Sequence, residues 1–354
     1  MGVLTLVGAV IVAVFVGVRI GAAAPPAQVT ATMGASMVVH TPARALPWPK
    51  TGQAAIDVPY IGIDVASAPE HAAPIASLTK MMTAYVVLHD HPLGVQQSGP
   101  RITMTQTDVD DFNNDTVQDE ANAQVKKGEV LTERQLLSGM LVHSANNFAD
   151  TLARWDGGSI AAFVAKMNLT AVHLGMKQTS ITLPVAGTIS SYTPLLGFEG
   201  VIGVKSGFTS QAGGCDVLAV VRQVHGLPVL ILGAVTGLEG PNILNVAAQQ
   251  ALTLANSVST DIGATPIVTS GQVVARVSAG GHTVDATARG TANVLSWPGI
   301  KVTRVLETTG VLFPGARAGT VVGSVIVLVG SQRVVLPVRL SSRLPEESWN
   351  QRLF

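Results

Sequence analysis

The sequence predicts an α/β (α+β) domain with an inserted helical lobe, followed by a small all-β domain. Three observations carry this. Strand-like apolar runs at 55–64, 201–205, 215–223 and 228–235 fall on either side of a block with helical periodicity. A helix of Ala, Leu and Val, 242–258, closes that part of the chain. After Ser259 the pattern changes to short β-branched runs separated by Gly, Ser and Pro. Strand sets flanking a helical block, with a final helix to pack on them, fit one sheet with helices against it and not a βαβ series.

In chain order, residues 1–18 carry no charged side chain, and an apolar run ends at Arg19 before Ala22-Ala23-Ala24-Pro25-Pro26. This predicts a signal peptide over 1–24, and the run is also long enough to serve as a membrane anchor. Leu6 stands where a myristoylation site needs Ser or Thr. Residues 25–47 are rich in Ala, Pro and Thr and read as a linker. The α/β domain is expected at 48–259. A helix beginning at Ser77 contains Leu78, Met81, Met82, Tyr85, Val86, Val87 and Leu88. So little polar face predicts a central core helix. Further helices are predicted at 132–142, starting near Thr132-Glu133, and at 160–173, with Ser159 as N-cap. The β-rich domain, 260–342, has strands expected at 273–277, 292–295, 302–306, 321–329 and 334–340. It holds no candidate nucleophile constellation and reads as a spacer or interaction module. The tail, 343–354, is short and polar, with no second anchor.

With 354 residues the chain suits two domains or three. Charged residues make up 12%, and 22 basic side chains balance 22 acidic ones. No electrostatic case exists for a nucleic-acid partner or an anionic lipid surface. Cys215 is the single cysteine, which excludes an internal disulfide and any multi-cysteine metal site. A buried strand cysteine is the plainer reading of it than a catalytic thiol.

The chemistry lies in three motifs in fixed order: Ser77-Leu78-Thr79-Lys80, Ser144-Ala145-Asn146 and Lys205-Ser206-Gly207. Each alone has a plain structural explanation. Ser77 could cap a helix, Lys80 could snorkel, Ser144 and Asn146 could cap or turn, and Lys205 could be a solvated edge-strand lysine. Together they supply a nucleophile and a base. A serine hydroxyl needs a neighbour to take its proton. Lys80 lies one helical turn on, on the same face. It can act as base only if its pKa falls, which burial and a second cation such as Lys205 would bring about. The helix N-terminus directs free N–H groups at Ser77, where an oxyanion would form. Gly207 allows a substrate backbone to approach closely.

This ordered trio resembles the set lining the active site of penicillin-binding proteins and serine β-lactamases. Around it stand Pro74-Ile75-Ala76, Met82-Thr83-Ala84-Tyr85, Asn147-Phe148-Ala149-Asp150, Phe163-Val164-Ala165-Lys166-Met167-Asn168, Leu174-Gly175-Met176 and Ala212-Gly213-Gly214-Cys215. With these, the chain resembles the serine-type D-alanyl-D-alanine carboxypeptidases, the low-molecular-mass penicillin-binding proteins, over roughly residues 45–260. The resemblance implies a β-lactamase/transpeptidase-like catalytic domain. It implies Ser77 as acylated nucleophile, Lys80 as its base, and Ser144 and Asn146 in proton relay and substrate binding. Lys205 and Ser206 would receive the substrate's terminal carboxylate. The backbone N–H groups of Ser77 and Phe208 would form the oxyanion hole. The implied partners are peptidoglycan stem peptides and β-lactams, with membrane contact through the N-terminal segment if it stays uncleaved. No cofactor or metal is called for. The implied location is outside the cytoplasmic membrane.

Two departures from the family pattern stand out. Ser206 replaces the commoner threonine and keeps the hydroxyl. The stretch between Leu174-Gly175-Met176 and Lys205 is shorter than in the family, so a piece of the pocket wall is expected to be missing. Other readings are a β-lactamase, a D,D-endopeptidase, and a catalytically impaired wall-binding protein. Against a β-lactamase, the acids between Ser144 and Lys205 are Asp150, Asp156 and Glu199, none in a Glu-x-x-Leu-Asn context. A metallo-peptidase is suggested only by His89-Asp90-His91, which lacks a signalled third ligand.

Overall fold

The first two strands lie where composition predicts a linker. In the structure, a computed structural model, β1 (Gln28–Ala31) and β2 (Ser36–Val38) pair with strands far along the chain. Gln28 lies opposite Ser278 and Val38 opposite Lys301. Their support is non-local, so composition alone hides them, and the linker expectation for 25–47 is corrected over these residues. The structure describes residues 24–42, 44–176, 178–183 and 194–346. The predicted leader, 1–24, therefore lies almost wholly outside the described residues, as does the tail from 347. Among the described residues no helix is long and apolar enough to cross a membrane.

β3 (Gln53–Val58) and β4 (Ile63–Ala66) form an antiparallel hairpin. In β3 the side chains of Ala54, Ile56 and Val58 are buried and alternate with half-buried ones, the period-two pattern of a strand with one covered face. A 3₁₀ turn, Ala76–Leu78, leads into α1 (Thr79–Asp90). Then come β5 (Arg101–Thr103), α2 (Gln106–Val117), β6 (Val130–Thr132), α3 (Glu133–Val142), α4 (Asn146–Gly157) and α5 (Ile160–His173). β7 (Val201–Thr209), β8 (Gly213–Val224) and β9 (Leu227–Leu238) follow, and α6 (Ile243–Asp261) closes this part. The strands order as β4-β3-β9-β8-β7, all antiparallel, with α6 packed on β8 and β9.

The remaining strands are β10 (Gly263–Val268), β11 (Val273–Ala279), β12 (His282–Ala288), β13 (Ala292–Ser296), β14 (Lys301–Thr308), β15 (Val321–Val329) and β16 (Gln332–Leu340). They build a seven-stranded sheet, β1-β11-β12-β16-β15-β14-β2, and the pair β10-β13. The chain divides into two units, one made of Arg44–Pro59 with Ile63–Asp261, the other β-rich.

The helical lobe holds its own core of Val86, Val87, Met104, Leu136, Met140, Phe148, Leu152, Phe163 and Met167. Local signals set its helix starts. Thr105 and Asp108 make a capping box on α2, Thr132 and Gln135 make another on α3, and Ser159 caps α5 as predicted. Two expectations need correction. Ser77 does not open an α-helix but sits in the 3₁₀ turn before it. α1 is also less central than its composition suggests, since Tyr85 and Leu88 are 46% and 38% exposed. Only one side of the helix faces the lobe core.

Candidate active site

Ser77 is placed by an irregular turn. Ala76 before it has φ 48°, in the left-handed region. The Thr79 hydroxyl donates to Ala76 O at 3.0 Å and ties the turn to the helix. α1 then carries Lys80 back to the same point. The Lys80 side chain is fully buried, and its Nζ donates to Ser77 Oγ at 3.1 Å, to Ser144 Oγ at 3.1 Å and to Asn146 Oδ1 at 2.5 Å. Three acceptors match the three protons of an ammonium. Ser144 Oγ donates to Ser77 Oγ at 2.9 Å, so nucleophile, lysine and second serine form one closed network.

The second motif does not lie wholly on a loop. Ser144 occupies the turn between α3 and α4, with φ 58°, and Asn146 is the first residue of α4. Both are fully buried. The turn directs Ser144 at Lys80, and the helix start fixes Asn146 beside it.

The third motif stands on β7, the edge strand of its sheet, which runs on to Thr209 and not only to Lys205. Lys205 is 1% exposed, which rules out the solvated edge-lysine explanation. Its Nζ donates to Ser206 O at 2.7 Å. Ser206 is fully buried and Phe208 half-buried. A Cβ placed on Gly207 would lie 2.6 Å from the Ser77 nitrogen, so β7 passes with its backbone against the Ser77 turn. No side chain other than hydrogen would fit there. Ala76, Leu78, Ala212 and Cys215 form the small apolar cluster beneath, which confirms Cys215 as a core residue.

Electrostatics follow from this burial. Lys80 is lowered to about 7, first by desolvation and then by Lys205, against the opposing pull of Glu120, Asp115 and Asp150. Lys205 is lowered to about 8 by desolvation, opposed by Asp216. Burial raises Asp216 on β8 to about 7 and Asp150 on α4 to about 7. A lysine near 7 can exchange a proton with a serine hydroxyl at neutral pH, which an ordinary lysine cannot do.

Sequence reasoning missed Glu120, whose carboxylate accepts from Asn146 Nδ2. Nothing in its turn, Asp119-Glu120-Ala121-Asn122, marks it among the neighbouring acids. Asp216 did leave a signal, as a lone acid in the apolar run of β8. The His89-Asp90-His91 stretch is the end of α1. His89 pairs with Asp90 at 2.8 Å, and the His91 ring lies 4.1 Å from that of Trp155. No group of three or more metal-ligating side chains gathers among the described residues. A concavity of about 590 Å³ opens beside His91, Gln97 and Glu133, and no motif residue lines it.

Residues 63–187 match the family model described as D-alanyl-D-alanine carboxypeptidase, Peptidase_S11. The match covers about a third of the chain. It contains Ser77, Lys80, Ser144 and Asn146; Lys205 to Phe208 lie beyond it. A D-alanyl-D-alanine endopeptidase of Haemophilus influenzae is 37% identical over 106 residues, 30% of this chain and 33% of that protein. The D-alanyl-D-alanine carboxypeptidase DacB2 of Mycobacterium tuberculosis is 40% identical over 90 residues, 23% of this chain and 31% of that protein. The matched stretch thus spans about a third of the length of these curated relatives. Among solved structures, penicillin-binding protein 5 of Haemophilus influenzae superposes with TM-score 0.56 at 19% identity, over 86% of this chain and 100% of that one. The D-alanyl-D-alanine carboxypeptidase DacD of Francisella tularensis gives 0.56 at 16% identity, over 85% and 95%. At such identities the likeness establishes the fold, and the expected transpeptidase-like architecture is what the chain adopts.

Proposed function

We propose that this chain is a serine D,D-carboxypeptidase, inhibited by β-lactams, that removes the terminal D-alanine from peptidoglycan stem peptides. The observation that carries the reading is Lys80 Nζ at 3.1 Å from both Ser77 Oγ and Ser144 Oγ in a fully buried network. Neutral Lys80 takes the Ser77 proton, and Ser77 Oγ attacks the carbonyl carbon of the penultimate D-alanine. The oxyanion lies between the N–H groups of Ser77 and Phe208, a role supported by the close passage of β7 at Gly207. Ser144 passes the proton to the leaving amine, D-alanine departs, and water hydrolyses the Ser77 ester. Lys205 and Ser206 hold the terminal carboxylate, and Asn146 the peptide amide.

Under this reading residues 48–259 carry the chemistry and 260–342 serve as a spacer or interaction module. The first 24 residues export or anchor the chain, so it works outside the cytoplasmic membrane. Slow release of penicillin also follows. Of the acids weighed as deacylation bases, Asp156 is paired with Lys166 and Glu199 with Arg222. Asp150 bears on Lys80 electrostatically. A D,D-endopeptidase is the second reading, favoured by the Haemophilus influenzae relative.

Kinetics on matched peptides test the choice. A peptide ending in D-Ala-D-Ala acid should be turned over far better than its terminal amide, because a lysine bond to a carboxylate is charge-assisted. Lys205→Ala should collapse that ratio by weakening only the acid. Equal turnover of acid and amide by the parent would favour the endopeptidase.

A further inference from the structure

Asn146 has two polar ends, and both are used. Oδ1 accepts from Lys80 Nζ at 2.5 Å, and Nδ2 donates to a carboxylate oxygen of Glu120. An ammonium only donates and a carboxylate only accepts, so these neighbours fix the amide's orientation from both sides. Turned over, it would set N–H against N–H and oxygen against oxygen.

The loop that carries Glu120 is held at several further points. Asn146 N donates to Ala121 O at 2.7 Å. Asn147 accepts from Ala123 N at 3.0 Å and donates to Ala123 O at 2.8 Å. Glu120 N donates to Asp115 O at 2.8 Å, and Glu120 O accepts from Asn122 Nδ2 at 3.0 Å. Glu120 is thus presented by a braced loop and not by a free side chain on the surface.

We infer that Glu120 is a positioning residue for the Ser77 centre, fixing Asn146 so that its oxygen holds Lys80 and supplying a counter-charge to the buried ammonium. The catalytic consequence rests on the carboxypeptidase reading; the structural part rests on the hydrogen bonds. When Lys80 takes the Ser77 proton it becomes a buried cation facing a second one. The charged groups that face it are Lys205 on β7, Glu120 on the loop, Asp115 on α2 and Asp150 on α4. Burial raises Asp115 to about 6, with Glu120 adding to the rise, and raises Asp150 to about 7, so both are drawn toward their neutral forms. Glu120 reaches the lysine through a single amide. Its charge works against the downward push of burial and Lys205 and keeps the protonated lysine accessible.

Two variants separate geometry from charge. Glu120→Gln retains an oxygen to accept from Asn146 Nδ2 and removes the charge; Glu120→Ala removes both. Carbon-13 NMR of protein labelled at lysine Cε, with Lys80 assigned by its loss in Lys80→Met, reads the ionisation of Lys80 without any turnover. In Glu120→Gln the Lys80 midpoint should fall by roughly half a pH unit, the sign expected on losing a nearby opposite charge. Penicillin acylation below the parent's midpoint should then be faster by roughly threefold, because half a unit is that factor in neutral lysine. Glu120→Ala should acylate more slowly at every pH, because Asn146 is released. A role in folding alone would slow both variants and leave the midpoint where it was. An unmoved Lys80 midpoint in Glu120→Gln overturns the inference whatever acylation does. A moved midpoint in a chain that penicillin never acylates supports the inference and removes the carboxypeptidase reading instead.

Discussion

At the scale of single residues, Lys80 is a charged side chain with no exposed surface, kept there by three hydrogen-bond acceptors. A buried charge of this kind is retained only where its partners compensate desolvation. Desolvation and Lys205 lower its pKa to about 7. Only the neutral amine can take the Ser77 proton, so acylation by a penicillin should rise with pH by about tenfold per unit below 7 and level off above it. Stopped-flow rates between pH 5 and 9 measure this, and a rate that falls with rising pH would exclude Lys80 as base. Ser77, Lys80, Ser144, Asn146 and Lys205 were legible in the sequence because each belongs to a short motif. Glu120 was not. It lies among Asp108, Asp110, Asp111, Asp115 and Asp119, and only the fold shows which of these acids meets Asn146.

At the scale of elements, boundaries were legible where the cap is local and hidden where the support is tertiary. α5 begins after Ser159 as read, because a serine oxygen accepting from Ala162 N needs no distant partner. α2 went unread because Gln106–Val117 holds few apolar residues. Its acids instead meet Arg154 on α4, at 2.8 Å from Asp108 and 2.5 Å from Asp111. The contact between α3 and α4 is tight enough to test. A Cβ on Gly139 would lie 2.4 Å from the Phe148 ring, and Phe148 is 7% exposed. Gly139→Ala should therefore lower stability by about 1–3 kcal/mol, the usual cost of overpacking, despite the better helix propensity of alanine. Urea unfolding gives the number. A stabilised variant would mean that the ring moves aside freely.

At the scale of the whole molecule, the chain crosses four times between its two units, since the short stretch Tyr60–Gly62 counts with the β-rich one. The β-rich unit begins with β1 and β2 and then resumes after Asp261. Composition showed five of the later strands but not β10 or β12, nor these first two. Val39, 4% exposed, adds a further tie where its N donates to Ile300 O at 2.9 Å. Removing residues 24–39 should lower the thermal transition of the β-rich unit, as loss of strands from a sheet exposes paired edges. Penicillin acylation per folded molecule should be unchanged, because the Lys80 network lies within the other unit. Calorimetry and labelling on the same preparation check both halves. The most direct test of the central claim is intact mass after incubation with a penicillin. The parent should gain the mass of one penicillin molecule, since ring opening expels nothing, and Ser77→Ala should gain none. A Ser77→Ala chain that gains the same mass as the parent would place the nucleophile elsewhere and contradict the account.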